Sequence, residues 1–293
     1  MRQVDLADSL GLAQTTIANY EQGIRFPNEK ILSQIADYFN VSLDYMIART
    51  DVRLSNEDIM YNDIYQQTDI YENTELSSLQ KEYFNSVLNG NKQLAVKLIL
   101  DSVDNKVSAK DIYIYVLERS LKEIGRLWEM NIIDIYQEHY FSNVTQQIMS
   151  QLYPYIYTKE RNGFSCVSLG VSGEFHNIGV RMVTDFLDAA GWNTYFLGSD
   201  IPTQSVIRAI QDRKANILAI SATMSFNLDA VSSLIKAVRS SKGCANVKIM
   251  VGGRAFNISK QLWKVVGADA YANTAEQAVK MAEHLTTIDA LLK

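Results

Sequence analysis

The spacing of apolar residues changes three times along the chain, and each change marks a different kind of element. At the start, Leu6, Ala7, Leu10, Ile17 and Tyr20 recur at helical intervals on either side of Gly11. Residues 1–50 therefore predict short helices joined by tight turns, with Pro27 as punctuation. Residues 51–75 are polar, acidic and dotted with tyrosine, with no sustained period, and predict a linker. From Leu76 to about Thr158 the helical period returns in stretches at 76–88, 91–103, 108–130 (with Ser108 as its N-cap) and 134–157. Connections this short predict an antiparallel four-helix bundle over 76–158.

After Gly163 the period shortens. The runs "SCVSLGVS", "TYFLGS", "NILAISAT", "VKIMVGG" and "DAYANT" are β-rich and alternate with amphipathic helices. This alternation predicts a doubly wound α/β sheet of five parallel strands over 162–293, with helices on both faces. The chain is therefore multidomain: an all-α helix-turn-helix at 1–50, a linker at 51–75, a helical bundle and an α/β domain. A doubly wound sheet receives ligands at the carboxyl ends of its strands, so the loops after those runs are where chemistry is expected.

Composition narrows the class. With 47% hydrophobic and 21% charged residues over 293 positions, the chain has ample material for packed cores. No apolar run reaches the ~18 residues a membrane span requires, and no signal-peptide pattern opens the chain, so a cytoplasmic protein with no membrane partner is expected. The two cysteines, Cys166 and Cys244, fall in a strand-like run and a loop, which argues against a disulfide framework. A net charge of −5 argues against a chain dominated by nucleic-acid binding but leaves room for one small DNA-reading module.

Three strand-end loops carry unusual residues: Glu174-Phe175-His176-Asn177-Ile178-Gly179, Ser221-Ala222-Thr223 and Gly252-Gly253. A histidine there can bind a metal through one ring nitrogen while the other donates to a carboxylate, a role Glu174 is spaced to fill. Gly179, Gly252 and Gly253 remove side chains where a ligand needs close backbone approach, and Ser221 and Thr223 offer hydroxyls. Taken alone, a histidine at a strand end reads as a solvated or capping residue and a glycine pair as a turn. The spacing singles them out: 41 residues (180–220) separate Gly179 from Ser221, and 28 (224–251) separate Thr223 from Gly252.

Acid-x-His-x-x-Gly, Ser-x-Thr and Gly-Gly at these intervals resemble the signature of cobalamin-binding, flavodoxin-like domains. The resemblance implies that His176 displaces the dimethylbenzimidazole base and ligates cobalt from below. The base then enters a slot lined by Ser221, Thr223, Gly252 and Gly253. The family more often carries aspartate where this chain has Glu174.

In the bundle, Trp128 is followed after nine residues (129–137) by Glu138-His139. An indole can cover a ring or nucleoside, and a carboxylate can accept from hydroxyls. On pattern alone the tryptophan is equally bundle core and the pair a solvated one. Beside the sheet signature, this arrangement resembles the cap of cobalamin-dependent, light-sensing transcriptional repressors. There the tryptophan and glutamate pack on the adenosyl group. Those repressors place a histidine after the tryptophan, where this chain has Glu129.

The amino-terminal segment reads Q-x-x-L-A-x-x-L-G over Gln3–Gly11, then I-x-x-Y-E-x-G-x-x-x-P over Ile17–Pro27. It resembles the XRE helix-turn-helix family. By that resemblance Gln14, Thr15, Thr16 and Asn19 face base edges, while Gln3 and Arg25 touch phosphates. The same polar residues also suit the solvated face of a protein-binding module. Within 1–50 four cationic residues stand against six acidic ones, so binding is expected to lean on dimerisation and direct contacts. The family usually places a further helix before this segment, whereas this chain begins at Met1. The expectation is a misassigned start or a module lacking that helix.

Together these resemblances imply a cobalamin-responsive transcriptional regulator, not an enzyme, with adenosylcobalamin or methylcobalamin as cofactor. Cofactor state would bias a homodimer or tetramer and hence operator DNA binding. Repression is the commoner outcome in the family, and light is one candidate input. Three other readings stand beside it: a haem-binding regulator on the same fold, a corrinoid methyl-transfer protein, and a cofactor-free regulator driven by partner proteins.

Overall fold

The computed structural model describes residues 2–25, 27, 29–39, 41, 46, 74–157, 160–257 and 261–291. It divides into two compact units, Met1–Tyr71 and Glu72–Lys293. The expected linker lies outside the described residues except at its end, where Thr74 and Glu75 open a helix.

In the first unit, α1 (Gln3–Leu10) and α2 (Gln14–Glu21) are followed by α3 (Glu29–Tyr38). Gly11 ends α1 in the left-handed region at φ 64°, which a side chain would resist, and turns the chain tightly enough to pack α2 on α1. Leu6, Ala7 and Ile17 form its small core, with Leu10, Leu12, Tyr20 and Phe39 packed around them.

The second unit begins with α4 (Thr74–Leu88) and α5 (Lys92–Asp104). Next comes α6, a continuous rod made of Ala109–Asp111, a π-helical stretch Ile112–Glu118 and Arg119–Glu129. The bundle closes with α7 (Ile135–Ile156). Helix starts follow the capping chemistry in the sequence. Asn91 accepts from the Leu94 N–H at 3.1 Å and Ser108 from the Asp111 N–H at 3.4 Å. At α7, Asp134 caps Tyr136 N–H while Gln137 reaches back to Asp134 N–H.

The sheet consists of β1 (Ser165–Gly170), β2 (Asn193–Phe196), β3 (Ile217–Ser221), β4 (Lys248–Gly252) and β5 (Ala270–Tyr271), all parallel, in the order β2-β1-β3-β4-β5. Between them run α8 (Ile178–Ala189), α9 (Thr203–Asp212), α10 (Leu228–Ser240) and the single turn α11 (Leu262–Val265), with α12 (Ala275–Leu291) after β5. Alternate strand residues feed two cores. Val167, Leu169, Leu218 and Ile220 pack with α9 and α10, while Cys166, Ile217, Ala219 and Met250 pack with α8 and α12. Both faces are covered, as the β-rich runs require. Cys166 and Cys244 are both buried and unpaired.

The bundle packs against α8, whose Ile178, Met182 and Phe186 join its core. Inside this contact the buried Tyr113, from the π stretch, donates to Met149 O at 3.1 Å and to Asp185 Oδ2 on α8 at 3.0 Å. Burial pushes the Asp185 carboxyl up to about 6, against the Tyr113 hydrogen bond and Arg181, which pull it down. The fold therefore holds a proton that the unfolded chain releases, so this group adds stability below the ordinary aspartate range. That contribution is lost as pH rises through about 6. Asp185→Asn is expected to flatten this slope and to raise stability at pH 7 by about 1–3 kcal/mol. Urea unfolding at pH 4.5 and pH 7 reads it, and an unchanged pH slope in the variant would rule the assignment out. Among the described residues no helix is long and apolar enough to cross a membrane.

Candidate functional site

Strand order places the site. β1 lies between β2 and β3, so the chain leaves β1 to opposite sides, and the crevice at that reversal is where such sheets receive ligands. Register then aligns the loops, because Gly170 pairs with Ser221 and Ser221 with Gly252 across β1, β3 and β4. The three predicted strand-end loops therefore start in one row.

His176 stands between β1 and the start of α8, exposed at this edge, with Glu174 buried beneath it at 1% exposure. One Glu174 oxygen accepts both the His176 backbone N–H at 2.8 Å and ring Nδ1 at 2.7 Å. The other accepts from the Thr223 backbone N–H and from Asn227 Nδ2, the latter at 3.3 Å. Burial alone would push the Glu174 carboxyl up. The hydrogen bonds from the His176 ring, Thr223 N–H and His176 N–H outweigh it and bring the group down to about 2. The Glu174 hydrogen bond in turn raises the proton affinity of His176 against its partial burial. With Nδ1–H donated to a fixed carboxylate, Nε2 is the ring atom left for a ligand. Phe175 beside it is 85% exposed and offers an apolar face at the same edge.

The glycines divide into two kinds. A Cβ on Gly179 would meet nothing within 4 Å, so that position is open to an incoming group. A Cβ on Gly252 would lie 2.8 Å from Ala272 O, and one on Gly253 2.4 Å from Ala222 O and 2.9 Å from Ser221 Oγ. What these two glycines admit is neighbouring chain: Gly252 lets β4 approach the segment just after β5, and Gly253 lets the loops after β3 and β4 close on one another. Ser221 is buried in that closure.

On the bundle side Trp128 is half-buried at the end of α6, and Glu138 lies in the first turn of α7, so both sit at one end of the bundle. The Glu138 side chain is 15% exposed and pairs with His139 Nδ1 at 2.6 Å. It also accepts from Ser142 Oγ at 2.7 Å. His139 is 64% exposed. Glu138 also helps raise the proton affinity of His176, which ties this end of the bundle to the sheet edge.

In the first unit Gln14 and Thr15 are exposed on α2, Thr16 and Asn19 half-buried, and Arg25 exposed in the turn that follows. Gln14 Nε2 reaches Gln3 Oε1 at 3.5 Å, and Gln3 donates to Glu21 at 2.6 Å, so the amides of the two helices form one polar surface.

Comparison with known proteins bears on this arrangement. Models of a B12 binding domain match residues 165–281 and, separately, 79–153, and a helix-turn-helix model matches 1–46. Dimethylamine corrinoid protein 3 of Methanosarcina mazei is 31% identical over 116 residues, 39% of this chain and 68% of that protein. The chain belongs to the B12-binding family. Dimethylamine corrinoid protein 2 of the same organism is 33% identical over 116 residues, and this chain spans 53% of its length. The monomethylamine corrinoid protein of Methanosarcina barkeri superposes with a TM-score of 0.64 at 25% identity, over 70% of this chain and 97% of that one. The B12-binding part therefore comprises bundle and sheet together, preceded by a helix-turn-helix.

The residues present fit a corrinoid. Among the described residues no group of three or more His, Cys, Asp or Glu could hold a bare metal ion, but a corrin supplies its own ring nitrogens and asks for a single imidazole. His176 offers one, fixed by Glu174. At the end of β2, Ser199 Oγ is buried without a hydrogen-bond partner, beside Gly170 and the Glu174 stem, and could serve a polar ligand group. Sequence reasoning missed Ser199 and Asn227, and it missed Arg254, which follows the glycine pair and forms an ion pair with Glu129. None belongs to a spaced motif; each is defined by what the fold brings next to it.

Proposed function

We propose that the chain is a cobalamin-responsive transcriptional regulator, acting as a repressor, in which cofactor state sets oligomeric assembly and thereby DNA binding. His176 Nε2 would ligate cobalt from below, with Glu174 holding the ring in that tautomer. Ser221, Thr223, Gly252 and Gly253 would bound the slot for the nucleotide tail. Trp128 and Glu138, with His139 beside them, would meet the upper face. The observation that carries this reading is the union, in one chain, of a helix-turn-helix with a fixed histidine at the switch point of a B12-binding sheet.

Cobalamin, when bound, supplies a cobalt whose upper ligand can change by light, exchange or cofactor loss. Either form, adenosylcobalamin or methylcobalamin, would place that ligand under the bundle. Glu129 stands where light-sensing relatives carry histidine, so light is one input among these rather than the defining one. The chain itself would transfer no group, and it would work in the cytoplasm.

A second reading, a methyl-carrying corrinoid protein, is favoured by the names of the methylamine corrinoid relatives. The helix-turn-helix opposes it. A methyl-cobalt form that passes its methyl group to an acceptor would establish it.

Selection of genomic DNA fragments on the full chain, cofactor-free and cobalamin-loaded, tests the regulator. The expected result is enrichment of a two-fold or repeated site in only one of the two states. Equal enrichment in both, or none, would reject it. Asn19→Ala is expected to lower retention of the selected site by about ten- to a hundredfold, the value of a bidentate base contact. Cobalamin uptake should be untouched. Unchanged DNA affinity would remove Asn19 from the reading surface.

A further inference from the structure

Among the described residues, the polar contacts between the bundle and the α/β layer include a set along α8 and an ion pair on the loop after β4. In the set along α8, Tyr113 donates to Asp185, Tyr153 to Asp188, and Arg181 to Gln146 O at 3.2 Å and Ser150 Oγ at 2.7 Å. This side is backed by the shared apolar core of α8 and the bundle, so it has the character of a fixed attachment. The other is an ion pair on the loop after β4. Glu129, the last residue of α6 and the one after Trp128, receives Arg254, the residue after Gly252-Gly253, through both guanidinium nitrogens. The partners are 125 residues apart in sequence, and both side chains are about half exposed.

The pair borders the candidate site. Arg254 lies near enough to His176 to lower its proton affinity, while Glu138, nine residues beyond Glu129, raises it. One partner belongs to the cap at the end that carries Trp128, the other to the loop after β4 beside Gly253, and both Arg254 and Glu138 lie close enough to His176 to act on its charge. A ligand on His176 Nε2 that also reached Trp128 would have to enter between these two elements.

We propose that Glu129 and Arg254 form an ionic latch across the rim of the corrinoid cleft, holding cap to sheet until the cofactor enters. This rests on the cobalamin reading above and adds two residues that control how the site is loaded. Because the pair is exposed, it is weak and salt-sensitive, which suits a contact that must open. A buried pair at the same place would hold the cleft against its ligand. Residue 129 thus acts through its charge, as a positioning residue for the cap and not as a cobalt ligand.

The test uses the full chain as wild type, Glu129→Gln, Arg254→Gln, and the swap Glu129→Arg with Arg254→Glu. Amide hydrogen exchange over residues 127–137 is measured without cofactor, and hydroxocobalamin uptake is followed by visible absorption at low and high salt. In both single variants the exchange is expected to quicken. Uptake should accelerate about twofold to fivefold, the size an exposed ion pair supports. Salt should accelerate uptake in the wild type and leave the single variants unchanged, and the swap should restore the slower wild-type behaviour. Single variants that match wild type in exchange and uptake, or a swap as fast as the singles, would overturn the latch. Should the wild type take up no corrinoid, the cobalamin reading fails instead, and the exchange comparison alone decides whether the latch exists.

Discussion

Replacing His176 with alanine is expected to weaken corrinoid binding by at least about tenfold, the loss that even an indirect partner of a metal-bound histidine produces. It should also return the visible spectrum of the bound fraction to that of a corrinoid without imidazole from the protein. The expectation follows from the geometry of the pair. Glu174 is buried and engages Nδ1 at 2.7 Å, so the ring cannot turn away and Nε2 is presented at the strand edge. Glu174→Gln keeps an acceptor for Nδ1–H but loses the charge, and should fall between wild type and His176→Ala. Titration of each variant with hydroxocobalamin measures both effects. A wild-type affinity and spectrum in His176→Ala would exclude ligation by this residue.

The second large effect concerns folding. Gly253 has φ 94° and ψ 166°, a combination open to glycine and closed to other residues, and its missing Cβ faces Ala222 O at 2.4 Å. Gly253→Ala should therefore cost about 2–4 kcal/mol, combining backbone strain with overpacking of the loops after β3 and β4. Gly179→Ala makes the opposite case. Gly179 lies in the first turn of α8 with nothing within 4 Å of its Cβ position, so stability should change little. A methyl group there would instead meet an incoming ligand and lower corrinoid affinity. Urea unfolding and cobalamin titration on both variants separate the roles. Equal loss of stability in the two would show that the contrast between the glycines is mistaken.

Much of this was legible in the sequence because it rests on local rules. The β-rich runs and their intervals marked five strands, and parallel pairing in the order β2-β1-β3-β4-β5 then brought Gly170, Ser221 and Gly252 into one row. Ser108 was readable as a cap because capping is chemistry within a few residues, and it accepts from Asp111 N–H as expected. Gly11 was readable as a turn for the same reason. The strands are shorter than the apolar runs: in "TYFLGS" the register with β1 ends at Phe196, although Leu197 and Gly198 still exchange backbone hydrogen bonds with Ser168 and Gly170. Beyond it the chain rises into the loop that carries Ser199.

What stayed hidden depends on distance in sequence. Asn227 reaches Glu174 across 53 residues, and Arg254 reaches Glu129 across 125, with no spacing rule linking either pair. The π stretch in α6 carries no mark in an apolar pattern that reads as one helix through 108–130. Gly252 and Gly253 were expected to clear space for a ligand. The side chain that another residue would carry at either position meets neighbouring backbone, a second reason for glycine that no spacing in the sequence announces.

The proposed regulator rests on one bond, between His176 Nε2 and the cobalt of a bound corrinoid. Electron paramagnetic resonance of the chain loaded with cob(II)alamin, prepared with natural and with 15N-labelled histidine, reads the axial ligand directly. The predicted result is a nitrogen superhyperfine triplet that becomes a doublet on labelling and disappears in His176→Ala. A triplet indifferent to the label would mean that the cofactor keeps its own benzimidazole. A spectrum without nitrogen splitting would mean that no imidazole reaches the metal. Either result would exclude His176 as the cobalt ligand.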